Sequence, residues 1–352
     1  MPFHSPIRTL KSMQRKHFSL AAILASLLII GFIVYWEYHW RSLGYSISYN
    51  DDKVAWAVER KKVYDPSKPF VFIGTSRIKF DLDLDAWQLA TGQKPIQLAI
   101  VGSPCRSVLL DLGRDEKFAG RLVVEVNDPT FFSMAFNDRE KYVQDAIRYF
   151  HDETPAQKAG SVINRAFESR FVFLDEVKFG LNALLGDIKI KNREGIITRT
   201  VPGREFASIN SERQHTFTKM FLDDTAKIKT WMDTRMREGA IRRYPPLSGK
   251  MLDSFFVSIK NATDKIKARG GQVVFIRPPS SGIAFIRETT FETREKYWDR
   301  LLLYTGCTGF YFKDYPETAG LICPDDSHLA PPEAKKYTMY LAEQFRGMGW
   351  VK

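Results

Sequence analysis

A single run of uncharged residues near the amino terminus constrains this chain more than any other feature of its sequence. The run, FSLAAILASLLIIGFIVYW, covers 19 residues from Phe18 to Trp36. As a helix it spans about 28 Å, close to the ~30 Å hydrocarbon core of a bilayer. Aromatic residues follow as an interfacial belt. A cleaved signal peptide has a shorter apolar region, so we interpret 18–36 as an uncleaved transmembrane anchor, with a buried core helix as the alternative.

The charges that flank this anchor predict its orientation. Residues 1–17 contain four cations and no acidic residue. The positive-inside rule therefore places this tail in the cytoplasm and exports everything after the anchor. Taking the four cations of the tail from the net charge of +11 leaves +7 for the remainder. Outside the cytoplasm, this charge disfavours nucleic acid as a partner. The positive charge suits an anionic membrane surface or an acidic glycan as a partner. Alternatively, it only keeps the protein soluble.

Beyond a polar juxtamembrane stretch at 37–69, short apolar runs alternate with helical patterns. The β-rich runs lie at 70–73, 95–101, 121–126, 272–277 and 309–312. The helical patterns lie at 84–91, 107–114, 251–269, 288–303 and 332–346. Apolar strands that alternate with helices predict an α/β domain over 70–352, with a parallel sheet covered on both faces. Ligands of such sheets bind beyond the carboxyl ends of the strands.

Residues 130–250 interrupt this alternation. Two segments, 137–151 and 216–237, have the pattern of amphipathic helices, and a basic, loop-rich stretch at 187–214 separates them. We interpret 130–250 as a mostly helical insertion over the sheet. It would serve as a lid or as a docking surface.

Four short motifs lie where the strands are expected to end and the last helix to begin. Gly74-Thr75-Ser76-Arg77 follows the first strand, Gly102 the second and Asn127-Asp128 the third, and Asp325-Asp326-Ser327-His328 precedes the last helix. In this order they resemble the four blocks of the SGNH (GDSL-type) hydrolase superfamily. The resemblance covers about 70–345 without the insertion. It implies a flavodoxin-like three-layer sandwich and a serine acyltransferase or esterase.

The side chains of these motifs suit acyl transfer through a serine. A serine hydroxyl becomes a nucleophile when a neighbouring base takes its proton, and His328 is the candidate base for Ser76. Asp325 could hold the imidazole in the required tautomer, and only its spacing favours it over the adjacent Asp326. The structural alternatives are a helix cap for Ser76 and a capping loop for His328.

Three groups could bind the oxyanion of the intermediate: the backbone N–H groups of Ser76 and Gly102 and the side-chain amide of Asn127. The third block departs from the family pattern, because Glu125 stands where the family has glycine. Residues two apart in a strand share a face, so Glu125 alters the pocket or removes Asn127 as a donor. Asn127 could also belong only to a turn.

Other residues carry weaker predictions. Arg277 follows the fourth strand and could bind a carboxylate or phosphate of the substrate, with a structural strand-end role as the alternative. In an oxidising compartment, Cys307 and Cys323 could form a disulfide. No cofactor is expected. A metal site built from Asp325, Asp326 and His328 is not expected either, because no other histidine lies in a suggestive setting.

The leading hypothesis is a periplasmic O-acyltransferase, with acetyl as the favoured group, that modifies a cell-surface or exported polysaccharide. The Gly-x-Ser-Arg form resembles membrane-anchored bacterial members of the superfamily, which implies a single-pass protein of the inner membrane. Similar proteins work beside a membrane-bound O-acyltransferase, which implies such a partner as acyl donor. A carbohydrate esterase with the same triad is one alternative. A non-catalytic subunit of a polysaccharide synthesis or secretion complex is another, kept open by Glu125.

Overall fold

A parallel sheet forms the centre of the chain in a computed structural model, which describes residues 6–133, 137–186, 188, 203–241 and 245–351. The strands are β1 (Phe70–Ile73), β2 (Ile96–Gln97), β3 (Arg121–Glu125), β4 (Ala207–Ile209), β5 (His215–Phe217), β6 (Gln272–Arg277) and β7 (Thr308–Tyr311). Five of them form the central sheet in the order β2-β1-β3-β6-β7, and each adjacent pair is parallel. The antiparallel hairpin β4–β5 is separate from it.

Helices connect and cover the strands. In chain order they are α1 (Pro6–Ser42), α2 (Lys53–Lys61), α3 (Ser76–Asp81), α4 (Leu84–Thr91), α5 (Arg106–Arg114), α6 (Asp128–Phe131), α7 (Asn137–Asp152), α8 (Pro155–Glu168), α9 (Glu176–Phe179), α10 (Leu181–Gly186), α11 (Lys219–Leu222), α12 (Thr225–Ile241), α13 (Gly249–Ala268), α14 (Gly282–Phe291), α15 (Trp298–Thr305), α16 (Pro316–Ala319) and α17 (Pro331–Gly347). Short 3₁₀ helices cover Lys62–Tyr64, Val172–Leu174 and Phe312–Asp314.

Each face of the sheet has its own apolar core, because successive side chains of a strand point to opposite faces. Val71 and Ile73 of β1 pack with residues of α2, α5, α7, α13 and α15. Phe70 and Phe72 pack on the other face with residues of α3, α4 and α17. The predicted α/β architecture, with a parallel sheet covered on both sides, is therefore confirmed.

Helix α1 contains the predicted anchor. Its segment Ser19–Ser42 is long and apolar enough to span a membrane, and the most apolar window within it is 0% buried. This exposure rules out the alternative of a buried core helix. Where the helix ends, it packs on the insertion through a group that we call the anchor cluster, with Trp40, Val172 and Phe179 buried and Trp36, Tyr45, Ile47, Phe173 and Leu184 partly buried.

Two helical predictions need correction. The pattern at 216–237 begins as strand β5 and helix α11, and only α12 is a long helix. The pattern at 288–303 is broken into α14 and α15. Glu288 and Leu301 are both buried, yet in one straight helix they would point about 140° apart. Of the predicted loop-rich stretch, residues 187 and 189–202 lie outside the described residues, and the remainder contributes β4.

Candidate active site

The turn after β1 presents Ser76 at the start of helix α3. Thr75 is the residue that caps this helix, since its Oγ1 accepts the backbone N–H of Arg77 at 3.4 Å. Ser76 is the first helical residue, so its hydroxyl is not used as the cap. Its side chain is half-buried, in contrast to the buried residues on both sides of it.

Ser76, His328 and Asp325 form a continuous hydrogen-bonded chain. Ser76 Oγ lies 2.8 Å from His328 Nε2, and His328 Nδ1 lies 2.8 Å from Asp325 Oδ2. An ionised carboxylate can only accept, so Nδ1 carries the proton and Nε2 is left to accept the serine O–H. The structure thus brings together the three residues predicted to be catalytic, and this tautomer is the one that general-base catalysis requires.

The geometry also distinguishes Asp325 from its neighbour. Asp325 Oδ1 accepts the backbone N–H groups of Ser327 at 3.1 Å and of His328 at 2.9 Å. Asp326 turns away with φ +66°, and its Oδ2 accepts the backbone N–H of Ile283 at 3.1 Å. Asp325 is therefore the carboxylate that orients the imidazole, and Asp326 attaches the loop to α14.

Glu125 supports the turn that carries Ser76. Its Oε2 accepts the backbone N–H of Thr75 at 2.5 Å and of Ile78 at 3.4 Å, and its Oε1 accepts the Thr75 hydroxyl at 2.9 Å. A Cβ at residue 74 would overlap this carboxylate, so Gly74 is required beside Glu125. Burial raises the pKa of Glu125, although the donors from Thr75 oppose the rise. The carboxylate is 0% exposed and therefore does not line an open pocket.

The predicted oxyanion donors lie around the same turn. Asn127 Nδ2 donates to Thr75 Oγ1 at 3.4 Å, and an amide has a second proton that this contact does not use. Gly102 lies just past Ile100, whose N–H donates to the Gly74 carbonyl at 3.1 Å. Gly102 has φ +61°, which favours glycine at this position.

Helix α3 clamps the loop that carries His328. Near its start, the Arg77 guanidinium donates through Nε to Ser327 Oγ at 3.3 Å and pairs with Glu288 of α14. At its end, Asp81 Oδ1 accepts the backbone N–H of Leu329 at 2.8 Å. Burial raises the pKa of Asp81 well above its usual range. Sequence reasoning gave no role to Arg77 or Asp81, because nothing in their local pattern shows a partner some 250 residues away.

Aromatic rings from α3 and from the insertion cover the imidazole. The Phe80 ring lies 4.5 Å from the His328 ring, and the Phe217 ring of β5 lies 6.1 Å from it. We call the group around them the roof cluster, which comprises Phe80, Phe217 and Phe221 as buried members and Phe206, Ala207, Leu222, Ile228 and Trp231 as partly buried ones. Trp231 Nε1 also donates to Asp325 Oδ2 at 3.3 Å. Sequence reasoning missed this contribution because the hairpin β4–β5 was not predicted.

Arg277 is not placed to bind a substrate. Its side chain is 1% exposed, pairs with Asp128, and stacks with its guanidinium carbon 4.5 Å from the centre of the Tyr311 ring. The prediction of a substrate-binding role is therefore corrected in favour of the structural alternative. A different cation approaches the site: the Arg139 guanidinium carbon lies 3.8 Å from where a Cβ on Gly102 would be.

The two cysteines predicted to pair are free thiols. Cys307 packs on the face of the sheet that α13 covers, and Cys323 belongs to the core on the opposite face. The disulfide prediction is therefore wrong, because the sheet lies between the two sulfur atoms. Among the described residues, no group of three or more His, Cys, Asp or Glu side chains could hold a metal ion.

These observations define an α/β protein with a parallel sheet, one amino-terminal helix apolar enough to span a membrane, and a Ser–His–Asp chain beside the first strand. No protein-family model matches the chain, and no curated protein is a significant match to it.

Proposed function

We propose that the chain is an SGNH-type serine enzyme that transfers acyl groups. The observation that carries this proposal is the hydrogen-bonded chain from Ser76 through His328 to Asp325, with both links at 2.8 Å. The sheet supports it as well. When only the strands of the central sheet are counted, their order is 2-1-3-4-5, the flavodoxin-like order that the superfamily resemblance implies.

In the proposed reaction, His328 Nε2 takes the proton of Ser76 while Oγ attacks the acyl carbonyl. Asp325 stabilises the imidazolium that forms. The backbone N–H groups of Ser76 and Gly102 and the amide of Asn127 are the proposed donors to the oxyanion. His328 then protonates the leaving group, and an acyl-serine remains. An acceptor hydroxyl, deprotonated by His328, attacks this ester and regenerates the free serine.

We propose a glycan hydroxyl as the acceptor, so that the protein is an O-acyltransferase, with acetyl as the favoured group, acting on an exported or cell-surface polysaccharide. We propose that the site lies on the periplasmic side of a bacterial inner membrane, as the positive-inside rule predicts from the basic tail. The insertion contacts both the end of the anchor and the imidazole, through the anchor cluster and the roof cluster. These two contacts suit an acyl donor embedded in the same membrane, such as a membrane-bound O-acyltransferase.

An esterase with the same triad is a second candidate. It is favoured by the partial exposure of Ser76, which gives water a path to an acyl-serine. The two candidates differ only in the group that attacks the ester.

The test uses the full chain in lipid nanodiscs. A fluorophosphonate probe is expected to label Ser76, and the variants Ser76→Ala and His328→Ala are expected to abolish labelling. Turnover of p-nitrophenyl acetate is then measured with and without an oligosaccharide acceptor. Acetylated acceptor identifies the transferase, and acetate release that is insensitive to acceptor identifies the esterase. A folded protein that takes no probe at neutral pH contradicts both and leaves a non-catalytic subunit of a polysaccharide assembly.

A further inference from the structure

The insertion carries an unusual number of exposed apolar side chains. Between residues 162 and 188, seven large apolar side chains are 51–71% exposed: Val162, Ile163, Phe167, Val177, Leu181, Leu185 and Ile188. They lie on α8, α9 and α10 and just beyond α10, and we call them together the apolar surface. A concentration of this kind marks an interaction site, since single exposed apolar residues on a globular protein are usually scattered.

On α8, the apolar surface is continuous with the anchor. Ile163 and Phe167 are one turn apart and share a face of the helix. The Phe167 ring lies 6.5 Å from the Phe171 ring, which lies 5.5 Å from the Phe173 ring. Phe173 packs against the anchor cluster. A chain of aromatic contacts therefore leads from the exposed face of α8 to the end of helix α1.

Helix α10 reaches the anchor in the same way. Leu184 packs against the anchor cluster. Leu181 and Leu185 are one turn apart and share a face of the helix. This face lies next to Leu184. They are 71% and 51% exposed. The buried contact with the anchor therefore passes directly into exposed apolar surface.

The level of this contact relative to the bilayer follows from the anchor itself. Trp36 and Trp40 belong to the anchor cluster, and they lie about 6 Å apart along the helix at the end of the apolar run. Aromatic residues at such positions lie at the level of the lipid headgroups. Glu37, between them, has its carboxylate bound by the backbone N–H of Val172 at 2.9 Å and by Arg41 Nε at 2.6 Å. The insertion thus donates a backbone N–H to the Glu37 carboxylate at this level of the anchor.

We propose that the apolar surface lies in the headgroup region of the bilayer, beside the point where α1 emerges. Its occupant is lipid, because the apolar side chains continue outward from tryptophans that themselves mark the interface. Amphipathic elements of this kind insert about 5–10 Å into the boundary between headgroups and acyl chains. The domain then has two membrane attachments, the anchor and the insertion, which together fix its height and tilt. This inference does not depend on the enzymatic proposal.

The experiment uses the full chain in nanodiscs of phosphatidylcholine and phosphatidylglycerol, with the native cysteines replaced by serine. The environment-sensitive fluorophore NBD is attached to Ile163→Cys or to Leu185→Cys, and its quenching by lipids that carry a doxyl group near the headgroup is measured. Leu89→Cys and Leu303→Cys are the matched controls, since these leucines are 79% and 80% exposed but lie on α4 and α15. We expect at least threefold more quenching at the two insertion positions than at the controls.

Quenching at positions 163 and 185 no greater than at the controls overturns the proposal. That outcome is also the one expected if the surface binds a partner protein, because the nanodiscs contain none. As a second test, Leu181→Asp is combined with the label at residue 185, and circular dichroism verifies that the variant is folded. We expect the quenching to fall by about half, whereas Leu303→Asp leaves it unchanged. Unchanged quenching in a folded Leu181→Asp variant contradicts a role of this surface in membrane contact.

Discussion

The sheet region and the insertion are stabilised in different ways, and the candidate site lies where they meet. The sheet region has two large apolar cores, one on each face. Helix α7 of the insertion packs in one of these large cores, and the rest of the insertion has two small ones, the anchor cluster and the roof cluster, each with three buried members. Apolar burial is indifferent to pH, so the large cores should persist over a wide range of conditions. The insertion needs additional, polar attachments.

The main polar attachment is a buried group of charges centred on Asp51. Its carboxylate accepts Arg213 Nε at 2.7 Å, lies 3.1 Å from His215 Nε2, and pairs with Lys79 of α3. Arg213 also donates to the backbone carbonyl of Gln97, the last residue of β2, at 2.7 Å and to that of Ala99 at 3.0 Å. The hairpin is thus held to the sheet by Arg213 and to Asp51 of the juxtamembrane segment by both Arg213 and His215. The candidate triad therefore lies in the region with the larger apolar cores, and the hairpin that covers it is held in part by His215, whose charge depends on pH.

The largest effect is expected when Asp325 is replaced, and it should distinguish Asp325 from the adjacent Asp326. Asp325→Asn presents an amide to His328 Nδ1 and favours the wrong imidazole tautomer, so we expect the rate of fluorophosphonate labelling at Ser76 to fall by about 10³–10⁴-fold. Asp326→Asn is the matched control, because its side chain accepts from Ile283 instead. Labelling rates of the two variants in nanodiscs provide the measurement. Equal losses in both would show that the loop as a whole, rather than Asp325, activates the serine.

The second effect concerns the turn between β1 and α3, which carries Ser76. Glu125→Ala leaves the buried N–H and O–H of Thr75 without their acceptor, which costs about 1–3 kcal/mol of stability and displaces Ser76. Glu125→Gln retains one acceptor oxygen and the shape, so we expect it to preserve most of the stability and labelling. Thermal unfolding followed by tryptophan fluorescence measures the first quantity, and probe kinetics measure the second. A Glu125→Ala variant as stable and as reactive as the original chain would contradict the supporting role.

The contrast between the sheet region and the insertion also explains which features could be predicted from the sequence. Short apolar strands such as Phe70–Ile73 are bounded by glycine, and the motif residues follow them directly, so chain order alone placed Ser76 at a strand end. The contacts of Trp231 and Phe217 depend on how a long insertion folds back, and no local pattern encodes that. Arg277 was misjudged because an arginine at a strand end looks the same in sequence whether it pairs with Asp128 or with a substrate.

The third expected effect is a loss of stability on acidification that begins in the insertion. Burial and the charge of Lys79 lower the pKa of His215 to about 4, from an ordinary value of 6.5. Between these values the unfolded chain binds a proton that the folded chain does not, so stability rises with pH in this window and is lost on acidification. The slope is at most about 1.4 kcal/mol per pH unit. Asp51, whose pKa lies well below its usual range, stays ionised in this window.

Hydrogen exchange measured by mass spectrometry, corrected for intrinsic rates, provides the test. Between pH 6.5 and pH 4.5, we expect the amides of β4 and β5 to lose protection before those of β3 and β6. His215→Gln, which cannot gain this charge, should reduce the difference. Simultaneous loss of protection in both regions would show that they unfold as one unit, and the distinction drawn between them would then be wrong.

The smallest effect isolates the direct contribution of the insertion to the triad. Trp231→Phe keeps an aromatic ring in the roof cluster but removes the N–H donated to Asp325 Oδ2. A long hydrogen bond of this kind is worth about 0.5–1.5 kcal/mol, so we expect probe labelling at Ser76 to slow by about three- to tenfold. Trp87→Phe is the matched control, because Trp87 Nε1 is buried without an acceptor in the part of the chain that the structure describes. That variant should label at the original rate. If Trp231→Phe also labels at the original rate, the insertion covers the imidazole but its hydrogen bond to Asp325 does not affect the reactivity of Ser76. The candidate site would then belong to the sheet region alone.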